Sequence, residues 1–346
     1  MKKALGILLA ASMVFAAGCS SSGGSGSGSE TNGGTDTGSA KEVKTMKLSV
    51  VVPKERSLAQ GLFKFEEIVE KETNGSIQVE VHTDGTLGGD RDVFEGMQLG
   101  TIQGSTMSTA IIGSFVPEFN VFDLPFLFNN EQQAYEILDG ELGQQLLDKL
   151  PDIGVIGMNY WENGFRHLTN NVREVKSVED VKGLKIRTLE NELHVDAWKT
   201  LETTPTPMAY TELFMALQQG VVDGQENPTG NVKTAKFYEV QQYLTLTGHI
   251  YNASPFLISK SFWDTLTDEE KEIVTKAAEE AQEFQRQANQ AESEESLQFV
   301  KDNGMTVTEL TPEAKQGFKD KLQPIYEKYA STVGEELLKG IIEATK

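Results

Sequence analysis

Two arginines and one polar triplet carry the chemistry this chain could perform. Arg187 closes the segment Gly183 to Arg187, GLKIR, in which Leu184 and Ile186 alternate with Lys185 and Arg187 as on a short strand. A guanidinium held at a strand end can meet a carboxylate through two parallel hydrogen bonds, a geometry that a lysine cannot copy. Arg166 ends a second piece, Asn163-Gly164-Phe165-Arg166, which reads as an arginine after a turn. The triplet is Gln225-Glu226-Asn227, three polar side chains between Gly224 and Pro228. Polar groups pinned by punctuated backbone at a strand end are what a small-ligand pocket needs. Taken singly, each arginine fits a surface ion pair better than a ligand clamp, and the triplet fits an ordinary polar loop.

The elements that must position these groups can be read from periodicity. In Pro205 to Pro228, PTPMAYTELFMALQQGVVDGQENP, the two leading prolines keep the backbone extended. Leu213, Phe214 and Leu217 then mark one apolar stripe of a helix that starts near Tyr210 and stops at Gly220. Val221 and Val222 read as a short buried strand and Asp223-Gly224 as a turn. Near the start, Met46 to Val52 is a strand ended by Pro53, and Leu58, Leu62, Phe65, Ile68 and Val69 form a helical stripe. Ile77, Val79 and Val81 alternate as a strand, and Asp90 to Leu99 is a helix closed by Gly100. This order implies parallel strands with helices on both faces, and ligands of such sheets sit beyond the carboxyl ends of the strands. That places Lys54 to Ser57, Asp84 to Asp90 and Ser105 to Ala110 near a cleft.

Further on, 131–149 reads as a helix and 153–159 as a strand, with Trp161 directly after it as a pocket wall or a core residue. Phe237 to Leu246 suits a short helix. Asp268 to Asp302 contains neither proline nor glycine and carries a stripe of Ile273, Ala277, Phe284, Ala288, Leu297 and Val300. Such a helix is about 50 Å long, enough to cross two lobes. Residues 311–345 give two closing helices.

The chain has 346 residues and a formal net charge of −21, which removal of Lys2 and Lys3 would deepen. Such a surface repels nucleic acid and anionic lipid, so an anionic ligand would need local cations, which returns attention to Arg166 and Arg187. Residues 1–18 have the two lysines and then an apolar run to Ala17, the pattern of a secretion leader. Ala16-Ala17-Gly18 before Cys19, the single cysteine, resembles the lipobox of bacterial lipoproteins, which implies lipidation of Cys19. Residues 19–44 contain a Gly/Ser-rich tether whose coil would span on the order of 25 Å. The globular part is 45–346. His82, His167, His194 and His249 show no metal-ligand spacing, and no phosphate loop or dinucleotide fingerprint is present, so neither metal nor cofactor is expected. A secreted α/β enzyme using Asp223 or Glu226 remains an alternative, as does a structural lipoprotein.

Several motifs in order carry a resemblance over roughly residues 45 to 345. They are TNGSIQVEVHTDGTLGGDRDVFEGMQLGTIQ at 73–103, PEFNVFDLPFLF at 117–128, GFR, GLKIR, the 205–228 stretch and KFYEVQQYLTLTGHIY at 236–251. Together they resemble the solute-binding proteins of tripartite ATP-independent periplasmic (TRAP) transporters. The resemblance implies an α/β, two-lobed periplasmic-binding-protein-like fold with mixed sheets and a long helix spanning both lobes. It implies a monomeric receptor, not an enzyme, that takes an organic acid between the lobes and delivers it to small and large membrane subunits for ion-gradient-driven uptake. By the same resemblance Arg187 clamps the ligand carboxylate, Arg166 makes a second contact and Asn227 adds an amide. Tyr210 supplies a wall, and Asp90 faces the cleft opening. The first lobe departs from acid- or amide-bearing members at Val51 and Ser108, offering the hydroxyls of Ser57, Ser105, Ser108 and Thr109 instead. That favours a hexuronate or other sugar acid, with a C4-dicarboxylate or keto acid as the rival.

Overall fold

The computed structural model describes residues 43–345. The leader, Cys19 and the tether expected from the sequence lie outside the described residues. The chain begins with β1 (Lys44–Ser49), α1 (Ser57–Glu72), β2 (Ile77–His82), α2 (Asp90–Gln98), β3 (Gly104–Thr106) and α3 (Thr109–Ile112). A 3-10 turn at Pro117–Asp123 leads to α4 (Glu131–Leu138) and α5 (Glu141–Leu147), separated at Asp139-Gly140 where one helix was expected. Then come β4 (Val155–Asn170), β5 (Lys185–Thr188), α6 (Glu192–Thr200), β6 (Thr204–Pro207), α7 (Tyr210–Gln218), β7 (Gly224–Asn227) and α8 (Thr229–Thr234). The remainder is β8 (Tyr243–Ser259), α9 (Lys260–Trp263), α10 (Asp268–Asp302), β9 (Thr306–Glu309), α11 (Pro312–Val333) and α12 (Glu335–Ala344).

One mixed sheet runs in the order β2-β1-β3-β8-β4-β7-β5-β6, with β9 beside β8. The wing β2-β1-β3 is parallel within itself, and so is the wing β7-β5-β6. The long strands β4 and β8 pair antiparallel and pass from one wing to the other, with register shifts between Glu162 and Gly164 and between Arg166 and Leu168. Gly164 takes φ +111° there, a conformation closed to most side chains. The prolines of β6 are tolerated because it is the outermost strand, where missing N–H groups break no inner ladder.

Two expected elements differ. Val221-Val222 is not a strand: Val221 is exposed, and the ladder starts two residues later with Gly224 to Asn227, so the polar triplet is itself the strand. Phe237 to Leu246 is not a helix: a single 3-10 turn at Phe237–Glu239 precedes the long strand β8. There, pairing with β4 overrides the local pattern.

The helix α10 has the expected ends and is opened by Thr267, whose side chain accepts from the Glu270 N–H while Glu270 accepts from the Thr267 N–H. It joins both halves, giving Val274, Ala277, Ala278 and Ala281 to the core of the first wing and Val300 to that of the second. Its buried face between them is polar, formed by Gln285, Asn289 and Ser296, whereas Phe284 of the expected stripe is exposed. Gly61 of α1 lies against this helix and against Trp161. A Cβ there would sit 2.7 Å from the indole and 3.0 Å from Gln285. Gly61→Ala should therefore lose about 1–2 kcal/mol despite alanine's better helix propensity. Chemical denaturation reads this directly, and a stabilised variant would contradict the close contact.

Candidate functional site

A cavity lined by residues of both wings opens between them. Its first wall is the chain after β1, Val50 to Val52, with Leu58, Asp90 at the start of α2, and Thr106, Met107 and Ser108. Its second wall carries Arg187 of β5, Glu190 in the loop beyond it, Tyr210 at the start of α7, Asn227 at the end of β7 and Asn231 of α8. The floor is the crossing pair β4 and β8, which presents Asn163, Arg166, Asn252 and Ser254. The cavity thus lies beyond the carboxyl ends of β1, β5 and β7, as parallel strands require.

The two arginines differ in their partners. Arg166 is 1% exposed, and its Nε and Nη2 donate to the two carboxylate oxygens of Glu226 at 2.5 and 2.8 Å. Nη2 also donates to the Glu226 carbonyl, and Nη1 to Asn252 Oδ1 at 3.0 Å. Burial alone would push the Glu226 carboxyl up, but Arg166 and His249 more than reverse this and hold it well below the usual carboxylate range. Glu226 is thus a fixed counter-ion and no free base. Asp223 is bound by the Lys185 N–H at 2.8 Å and lies off the cavity, so the enzyme alternative loses both of its carboxylates.

Arg187 is 2% exposed and has no ion-pair partner among the described residues. Its Nε and Nη2 both donate to the Met208 carbonyl, at 2.9 and 2.7 Å, which fixes the plane of the guanidinium and leaves Nη1 without a protein acceptor. Burial and then the like charge of Arg166 lower its pKa to about 10, so it stays cationic at neutral pH. A buried cation that lacks a counter-ion but faces a cavity is a seat for an anion.

Of the residues expected at the site, Arg187, Arg166, Asn227, Tyr210, Asp90 and Ser108 all line the cavity. Asn227 Nδ2 donates to Gln225 at 2.5 Å, Tyr210 Oη accepts from Asn231 at 3.3 Å, and Ser108 Oγ accepts from Asn252 at 2.7 Å. Trp161 is a correction. It is fully buried in the first wing, stacked on Phe256 at 5.0 Å, because β4 continues through it and turns it into the core. Three of the four expected hydroxyls are also diverted from the cavity. Ser105 donates to the Ser49 carbonyl, Thr109 to Asp123, and Ser57 to Asn289. Their place is taken by four asparagines, 163, 227, 231 and 252, with Thr106 and Ser254. Asn252 had no signal of its own, since only the register that sets it opposite Gly164 brings it to the site.

Arg56 was also unforeseen. It is 1% exposed and ties the loop after β1 to α8 through Asn231 at 2.9 Å, to α10 through Asn289 and Glu292, and to β4 through Asn163. A Cβ on Gly230 would lie 2.7 Å from its guanidinium carbon. Gly230→Ala should displace Arg56 and lower the melting temperature by several degrees, whereas an unchanged transition would deny the contact its role.

Residues 48–332 match the family of bacterial extracellular solute-binding proteins, family 7, DctP. The chain belongs to that family. Its members are binding receptors and not enzymes. The chain is 35% identical over 302 residues to the C4-dicarboxylate-binding periplasmic protein DctP of Rhodobacter capsulatus, covering 87% of this chain and 90% of that one. The sugar acid binding protein of Advenella mimigardefordensis, solved with galactonate, superposes with a TM-score of 0.86 at 39% identity, over 88% of this chain and 98% of the other. A TRAP periplasmic solute-binding protein from Sulfitobacter with bound β-D-galacturonate gives 0.83 at 31% identity, over 87% and 99%. The two-lobed architecture is shared with these neighbours.

Asp90 adds a pH signature to this receptor. Burial pushes its carboxyl up to about 7, with Arg187 pulling it down and Glu190 pushing it further up. The folded state keeps the Asp90 proton to about pH 7, while the unfolded chain releases it near 3.9, so ionisation costs folded-state stability as pH rises through that window. Asp90→Asn removes the cost. Its melting temperature relative to the native protein should gain more at pH 8 than at pH 5, and an equal offset at both would refute the assignment.

Proposed function

We propose that this protein is the extracytoplasmic receptor of a TRAP transporter, that it captures a sugar acid such as a hexuronate or an aldonate, and that it hands the ligand to the small and large membrane subunits. The observation that carries this reading is Arg187, a buried guanidinium oriented by the Met208 carbonyl and without an ion-pair partner among the described residues. A ligand carboxylate completes it by charge-assisted hydrogen bonds. Asn227 and Tyr210 stand beside Arg187 on the same wall, while Asn163, Asn231 and Asn252 line the cavity with carboxamides held in place by Arg56, Arg166, Tyr210 and Ser108. The solved relatives with galactonate and galacturonate support this class.

Capture couples to closure. An open cleft hydrates the arginine; a carboxylate replaces that water and favours the closed form, which is the differential affinity that any ligand-driven closure needs. We further propose that Cys19 carries a lipid after cleavage behind Gly18, that residues 20–41 tether a monomeric receptor at the outer face of the membrane, and that uptake draws on an ion gradient. The C4-dicarboxylate reading keeps its own support in the Rhodobacter relative, the C4-dicarboxylate-binding protein DctB of Bacillus subtilis and two solved relatives with bound succinate.

Thermal unfolding with glucuronate, galacturonate, galactonate, succinate and malate tests the ligand class. A sugar acid at about a hundred times its Kd should raise the melting temperature by about 5 °C. Stabilisation by succinate or malate alone would reject the sugar acids. Arg187→Ala should weaken the bound acid by about 2–5 kcal/mol, at least tenfold, and Arg187→Lys should also weaken it because the fork geometry is lost. Unchanged calorimetric affinity in Arg187→Ala would remove the clamp.

A further inference from the structure

The charges lining the cavity do not balance around a dianion. Arg166 is already neutralised by Glu226, which leaves Arg187 as the one lining cation without an ion-pair partner among the described residues. Against it stand two lining carboxylates, Asp90 and Glu190, neither of which forms an ion pair among the described residues. They come from opposite walls, Asp90 from the first residue of α2 and Glu190 from the loop between β5 and α6. Asp90 Oδ1 is buried and accepts no hydrogen bond. It is an acceptor waiting for a donor, and the lining around it offers carboxamides and hydroxyls that are already engaged with one another, such as Asn252 with Ser108.

We infer that Asp90 and Glu190 act as a charge filter: they accept hydrogen bonds from ligand hydroxyls, and they turn away ligands that carry a second carboxylate. The inference rests on the sugar-acid reading and narrows it to polyhydroxylated monocarboxylates. A monoanion satisfies Arg187 and brings O–H donors to two carboxylates that lack them. A dianion finds no second free cation and sets its second carboxylate against Glu190 and, once the pH passes about 7, against the ionised Asp90 as well, where like charges are costly. A site built to receive hydroxyl donors rejects a ligand that cannot supply them, because its buried acceptors stay unpaired.

Galactonate and galactarate separate the possibilities, since they share one carbon chain and its four secondary hydroxyls and differ only in a CH₂OH or a carboxylate at C6. Calorimetry on the purified protein at pH 8, above the Asp90 titration, should show galactarate binding at least tenfold more weakly than galactonate. In the double variant Asp90→Asn with Glu190→Gln, which keeps side-chain size and removes both charges, the gap should close to under threefold. The single variant Asp90→Asn should narrow it in part and serves should the double variant not fold. Equal affinity of the native protein for both acids, or a gap that persists in the variants, would overturn the filter while leaving the sugar-acid reading intact. Binding of succinate with no binding of galactonate or galacturonate would sink that reading, and the filter with it.

Discussion

The rest of the structure depends on holding a guanidinium out of water without giving it an anion. Arg187 meets that constraint through the backbone. Its strand β5 lies between β6 and β7, and the Met208 carbonyl at the exit of β6 takes two of its N–H groups. A neutral carbonyl orients the cation without discharging it. Arg166, one strand system away and just as buried, shows the opposite solution, because Glu226 opposes it with both oxygens and its own carbonyl. The like charge of Arg166 still reaches Arg187 and lowers its pKa, but not far enough to cost it the proton near neutrality. One arginine is therefore spent on the scaffold, and the other keeps no ion-pair partner among the described residues.

That division explains why the scaffold is polar where it could have been apolar. The crossing strands β4 and β8 carry the site on a stretch interrupted by register shifts, and α10 runs past the same level. There the helix buries Gln285 and Asn289 instead of hydrocarbon. Gln285 accepts from the Glu162 N–H and donates to its carbonyl, pairing backbone groups left over by the irregular register. Asn289 and Glu292 receive Arg56 from the other side. A purely apolar helix face would leave these groups unsatisfied, at a cost of about 1–3 kcal/mol for each one left buried.

The first wall illustrates how local pattern and tertiary demand diverge. The hydroxyls of Ser57, Ser105 and Thr109 read as ligand groups from their positions after strands, yet each is consumed by a nearer acceptor once the chain folds. What remains toward the cavity from this wall is the apolar run Val50 to Val52 with Leu58 and Met107, beside Asp90, Thr106 and Ser108. Trp161 fails for a related reason: pairing with β8 carries β4 on through it, and the strand then commits the indole to the core.

By itself the sequence determined most of the local elements and several of the residues that line the cavity. Periodicity placed α10 at its observed ends, Gly220 at its left-handed stop and the prolines of β6 on an extended strand, since each rests on short-range sterics and spacing. Motif order determined the family and pointed to Arg187, Arg166, Asn227, Tyr210 and Asp90, all of which line the cavity. Only the tertiary structure decided which arginine is free, because neutralisation of Arg166 requires Glu226, sixty residues away, to arrive across a strand pair. It also decided that Asn252 enters the site and Trp161 leaves it, for strand register is set by long-range pairing that no local spacing encodes.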